Sequence, residues 1–178
     1  MAKIKLFSLS FFLIFSLVSA DEKIYSQNID DWQVNCFRKG ETKNCEINQV
    51  VYIDSGNFRL EFKIIYSVMK NDNNYFEIFT IITPLGVNLM QKAALIFEGS
   101  NEQINIPFIK CETYGCIITV NNKQDIDNKN KIFKLINRKL TNSDSFMFAI
   151  DAFFEKPIEL YSSLKGFNKS LELSRSKL

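Results

Sequence analysis

Phe58, Leu60, Phe62, Ile64 and Tyr66 occupy every second position of one run, and Arg59, Glu61 and Lys63 fill the gaps between them. A period of two places these two sets on opposite faces of a β-strand, so the run predicts a sheet with one face buried. The cluster Asp54-Ser55-Gly56-Asn57 precedes it and reads as a turn, with a strand over Gln49 to Ile53 before that and the alternating strand continuing to Val68. Asn71-Asp72-Asn73-Asn74 makes the next turn. Tyr75 to Thr83 is apolar on both faces, which predicts a central strand. Further strands are expected over Leu89 to Phe97, Gln103 to Ile106, Ser145 to Asp151 and Ile158 to Ser163. Phe108 to Cys111 and Cys116 to Val120 read as a hairpin in which Gly115 supplies a positive φ.

Many short strands at close spacing predict a mainly β chain: a single antiparallel β-sandwich or barrel-like domain. Two segments depart from that period. Ile126, Phe133, Ile136 and Leu140 fit a helix near 125–140 with Asp125 or Asp127 able to cap it, and Gly166 to Leu173 predicts a short C-terminal helix.

Residues 1–20 read as an address rather than structure. Lys3 and Lys5 are followed by an apolar run from Leu6 to Val18, then by the small residues of Val18-Ser19-Ala20. The run falls short of the roughly 20 residues that span a bilayer, so we expect a signal peptide removed after Ala20. The domain is then 21–178, periplasmic or secreted, with no transmembrane segment. Removing Lys3 and Lys5 from the 22 basic residues leaves 20, matching the 20 acidic ones. A neutral chain has no overall field to attract nucleic acid, and none is expected as a partner. The one local concentration of charge is Lys129, Lys131, Lys134, Arg138 and Lys139, beside Asp125 and Asp127.

The chain has no His. Ser-His-Asp and Cys-His catalysis are therefore excluded, as are zinc sites that need imidazole. Four Cys allow three connectivities; in an exported chain the local pairs Cys36–Cys45 and Cys111–Cys116 are the expected disulfides, with Cα separations of roughly 4.4–6.8 Å. Neither pair has the Cys-x-x-Cys spacing of a thiol oxidoreductase. Glu61, Glu77, Glu98 and Asp151 could supply a carboxylate pair for glycoside chemistry. Trp32, Phe37, Tyr52 and Tyr66 could line a ligand groove, although such aromatics more often fill a core. Asn168-Lys169-Ser170 is a glycosylation sequon, and Asp54-x-Gly56-Asn57 lacks the spaced carboxylates of a calcium loop. No catalytic, cofactor-binding or metal-binding residue is assigned and no cofactor is expected.

Four sequence elements carry a resemblance. They are Trp32-x-Val34-x-Cys36 with Cys45, Pro84-Leu85-Gly86-Val87 with Leu89, Pro107-Phe108-x-x-Cys111-x-x-x-Gly115-Cys116, and Leu164-Lys165-Gly166-Phe167. In that order they resemble the invasion-associated locus B family of exported bacterial proteins, over about Trp32 to Leu171. Ile118 and Lys169-Ser170 depart from the family's usual small residues. The resemblance implies structural roles for the four cysteines, Pro84, Gly86, Gly115 and Gly166, and implies no catalytic residue. The expected function is a non-catalytic exported envelope or interaction protein, linked to host-cell invasion or envelope work through an unknown envelope or host protein. The alternative is a periplasmic small-ligand carrier or carboxylate-based hydrolase.

Overall fold

The alternating run builds one of the two longest strands. In the computed structural model, which describes residues 21–55, 58–71, 74–123, 129–151 and 157–178, β3 (Thr42–Ser55) and β4 (Phe58–Asn71) pair antiparallel over most of their length. Phe62, Ile64, Tyr66 and Val68 of β4 are buried while Arg59, Glu61 and Lys63 face water, as a period of two requires. On one flank of this pair lie β2 (Trp32–Lys39) and β1 (Glu22–Ile29); on the other lie β5 (Asn74–Thr83), β9 (Gly115–Asn121) and β8 (Lys110–Glu112). The order is β1-β2-β3-β4-β5-β9-β8, so β5 is an interior strand, as its two apolar faces predicted. A second sheet has the order β11-β10-β6-β7, formed by β6 (Ala93–Phe97), β7 (Gln103–Ile106), β10 (Ser145–Ile150) and β11 (Ile158–Ser163). The fold is a sandwich rather than a closed barrel.

Aromatic pairs stitch the two sheets together. Phe62 meets Phe148 and Phe79 meets Phe146, with ring centroids 6.4 and 6.5 Å apart. Each ring so buried contributes about 1.5–3 kcal/mol. α1 (Lys129–Asn142) buries Phe133, Ile136 and Leu140. It runs past the expected end at 140, because Thr141 and Asn142 donate their side chains to the carbonyls of Asn137 and Arg138 in the last turn. Its expected start at 125 lies outside the described residues. α2 (Phe167–Lys177) also outruns expectation: Ser170 and Ser174 are fully buried, which lets the helix lie close on the sheet but hides its apolar period. The strand expected from Leu89 begins only at Ala93. Leu89 and Met90 belong to a turn in which Asn88 Oδ1 accepts the N–H of Met90. Neither β1 nor β2 was expected as a strand.

Both disulfides join residues directly opposite each other in a hairpin, Cys36 to Cys45 and Cys111 to Cys116, as expected. Their Cα separations of 4.0 and 3.9 Å fall below the expected window, because cross-strand partners face each other at the closest approach of antiparallel strands. The beginning and end of the chain are clasped together. Trp32 Nε1 donates to the Ser163 carbonyl at 3.1 Å, its ring meets Phe167 edge to face at 5.1 Å, and Ser162 Oγ donates to Gln49 Oε1 at 2.6 Å.

Candidate functional site

Two of the four sequence elements meet at one end of the sandwich, where β5 stops and β9 starts. Thr83 pairs with Cys116, and Thr83 Oγ1 donates to the Cys116 carbonyl at 3.3 Å. Gly115 has φ 143° and packs so closely that a β-carbon would lie 2.3 Å from the Thr83 carbonyl oxygen. Only glycine fits there. The Cys111–Cys116 bridge then holds the β8–β9 turn that carries Tyr114. Beside it, the loop leaving β5 carries Leu85, Leu89 and Met90, and Ile109 precedes β8.

These five are large apolar side chains that the loops leave exposed. Met90 is 91% exposed and Tyr114 64%, and Leu85, Leu89 and Ile109 are each about half exposed. A shallow groove of about 440 Å³ lies alongside, lined by Arg59, Leu60, Glu61, Lys63, Ile82, Pro84 and Tyr114. At its rim the Arg59 guanidinium stacks 3.8 Å from the Tyr52 ring centroid, and Lys63 pairs with Glu61 at 3.4 Å. We call this end the apex. Leu89, expected to open a strand, lies instead in this exposed loop; the signal for it is the apolar pair Leu89-Met90 shortly after Pro84 and Gly86.

The carboxylates singled out in the sequence stand in four different settings. Glu61 is exposed on the outer face beside Lys63. Glu77 is buried on the core face under α2, where Arg175 Nη2 donates to Oε1 at 2.5 Å. Glu98 accepts from Ser145 Oγ at 2.7 Å, and Asp151 is exposed just beyond β10. Around Glu77 the buried Tyr66 hydroxyl donates to Asn137 Oδ1 at 3.0 Å. Burial pushes the Tyr66 phenol far above its ordinary range, and the Glu77 charge adds to that, while Arg175 opposes it. This network ties α1 and α2 to the sheet. Burial also raises Glu46, which is half-buried on the outer face.

Of the four aromatics, Trp32 and Tyr66 are core, Phe37 is half-buried and only Tyr52 reaches the apex. Asn168 of the sequon is exposed on α2 and donates to the Thr141 carbonyl at 3.0 Å. Gly56 and Asn57 of the calcium-like stretch lie outside the described residues. Among the described residues no three His, Cys, Asp or Glu side chains converge on a metal-sized site, and no helix is long and apolar enough to cross a membrane.

A model of the invasion associated locus B (IalB) family matches residues 32–175, which takes in all four elements. The chain belongs to that family. The crystal structure of invasion associated protein B from Bartonella henselae is similar to this IalB-family chain, with a TM-score of 0.62 and 18% identity over 85% of this chain and 96% of that one. At that identity the likeness shows the sandwich fold alone. Comparison with curated proteins gave no match. The IalB elements meet in pairs: the second and third build the apex, while the first and fourth build the clasp at Trp32 and Phe167.

Proposed function

We propose that this IalB-family chain is a non-catalytic interaction protein of the bacterial envelope, exported after loss of residues 1–20, which grips a partner protein through the apex. The observation that carries this reading is the exposure of Leu85, Leu89, Met90, Ile109 and Tyr114 on the loops that adjoin the β5–β9 junction, where a disulfide and a sterically required glycine fix the turn that carries Tyr114. Large apolar side chains left this exposed bury little area in the fold, and several of them on the loops of one region mark an interaction site. Tyr, Met and Arg are also the residue types that protein interfaces favour. Export is supported by the apolar leader, by two disulfides and by family membership. A role in host-cell invasion or in envelope assembly fits a partner of this kind. Acid–base catalysis is no part of the reading, since the four carboxylates considered for it do not share a cleft.

Cross-linking in envelope extracts tests this proposal. The protein should capture a specific partner, and a Met90→Ala/Tyr114→Ala variant should lose it while melting normally. Equal capture by the variant would refute the apex reading. Turnover of a glycan, peptide or ester that is lost on changing one Asp, Glu or Lys would refute the non-catalytic one. The exported form should begin at Asp21 by mass spectrometry.

A further inference from the structure

The outward side of α1 is mostly cationic. Lys131, Lys134 and Arg138 fall at i, i+3 and i+7 and are exposed, opposite the buried Phe133, Ile136 and Leu140. The helix sequence contains Lys129, Lys131, Lys134, Arg138 and Lys139 and no Asp or Glu. Among the described residues, none of Lys131, Lys134 and Arg138 has a carboxylate partner. Lys139 differs, donating to Ser100 Oγ at 2.9 Å. Glu98 borders the same face near Arg138 but accepts from Ser145. Asp125 and Asp127 precede the helix in sequence and lie outside the described residues.

This pattern does nothing for the helix itself. Its first turn holds no acidic residue, and Lys131 stands where the macrodipole is already positive, a placement that destabilises. Since acids and bases balance from Asp21 onward, the cations are segregated onto this face rather than merely abundant. The face is also the wrong shape for a small ligand: Lys131, Lys134, Leu135 and Arg138 line only a shallow depression of about 340 Å³. The helix's one aromatic, Phe133, is buried, so unpaired bases find no stacking platform. Three unpaired cations around a half-buried Leu135, along two turns of rigid helix, match a flat array of anionic headgroups.

We propose that this face of α1 docks the protein on an anionic phospholipid bilayer, with the helix along the surface and Lys131, Lys134 and Arg138 among the headgroup phosphates. This docking uses no residue of the apex and is independent of the partner proposed for it. The test is co-sedimentation of the chain from Asp21 onward, which carries every element described above, with vesicles of phosphatidylcholine alone or mixed with phosphatidylglycerol. Binding should require phosphatidylglycerol and weaken as salt is raised. Lys131→Gln/Lys134→Gln/Arg138→Gln should weaken it about 100-fold, each cation near the surface being worth close to a factor of five. Lys23→Gln/Lys70→Gln/Lys92→Gln, with the same loss of charge elsewhere, should leave it unchanged. The three α1 side chains are exposed and unpaired, so the variant should melt as the parent does. Equal binding to phosphatidylcholine, undiminished binding by the α1 variant, or no binding to anionic vesicles would each overturn the proposal. Retention on double-stranded DNA or polyglutamate with no vesicle binding would assign the face to a soluble polyanion instead.

Discussion

Gly166 packs so tightly beneath the turn after β1 that a β-carbon on it would stand 2.5 Å from the carbonyl oxygen of Ile29. Its φ of 89° already lies in the left-handed region, and the turn it meets contains Asp30, whose carboxylate is 3.9 Å from Lys165 Nζ. Gly166→Ala should therefore cost about 3 kcal/mol, from backbone strain and a clash against main chain rather than a movable side chain. Gly40 also has a positive φ but nothing within 4 Å of the added carbon, so Gly40→Ala should cost only about 1 kcal/mol. Urea unfolding of the two variants checks the difference; equal losses would refute it.

Arg175 is the only cation paired with the buried carboxylate of Glu77 among the described residues. Removing it leaves an uncompensated buried charge, so Arg175→Ala should destabilise by about 2 kcal/mol, less than for a fully buried pair because the guanidinium is partly exposed. Combining Arg175→Leu with Glu77→Gln should recover much of that loss. A single-variant cost below about 0.5 kcal/mol would show that the pair contributes nothing.

Glu46 gives a pH prediction with a definite sign. Burial raises its pKa in the folded state, so its contribution is fully present below the unfolded value and is lost as pH rises through the folded one. Glu46→Gln should then raise the melting temperature near neutrality. Well below the ordinary carboxylate range it should change nothing. Melting curves at the two pH values decide the matter, and a stabilisation that is the same at both would refute the burial argument.

The two disulfides should open in a fixed order. Cys36 and Cys45 are fully buried, whereas Cys111 is exposed at the apex. Limited reduction followed by peptide mapping should find Cys111 and Cys116 labelled first. Cys111→Ser/Cys116→Ser should cost about 2 kcal/mol on the chain-entropy model for so short a loop. Labelling of Cys36 first would contradict the burial.

The legible parts of this fold were those where one physical signal acts alone. Phe58 to Tyr66 declared a strand because alternation has no other common source, and β7 was bounded correctly for the same reason. β1 was missed because Glu22–Ile29 is an edge strand, mostly exposed, with little apolar contrast between its faces. β2 does alternate, Trp32, Val34 and Cys36 facing inward, but its polar neighbours and cysteine drew a motif reading instead. The apex was illegible for a deeper reason. Leu89 and Met90 are apolar yet face water, and a pattern rule that treats apolar as buried must misplace them.

The partners of Trp32 lie at the far end of the chain: the carbonyl it donates to belongs to a residue 131 positions later. β2 therefore cannot complete its core until the segment carrying Ser163 and Phe167 has joined it. Such distant contacts close late and slowly, since the entropy of a long loop must be lost before they form. Until the α2 segment docks, the first strands stay unfinished and the chain stays open.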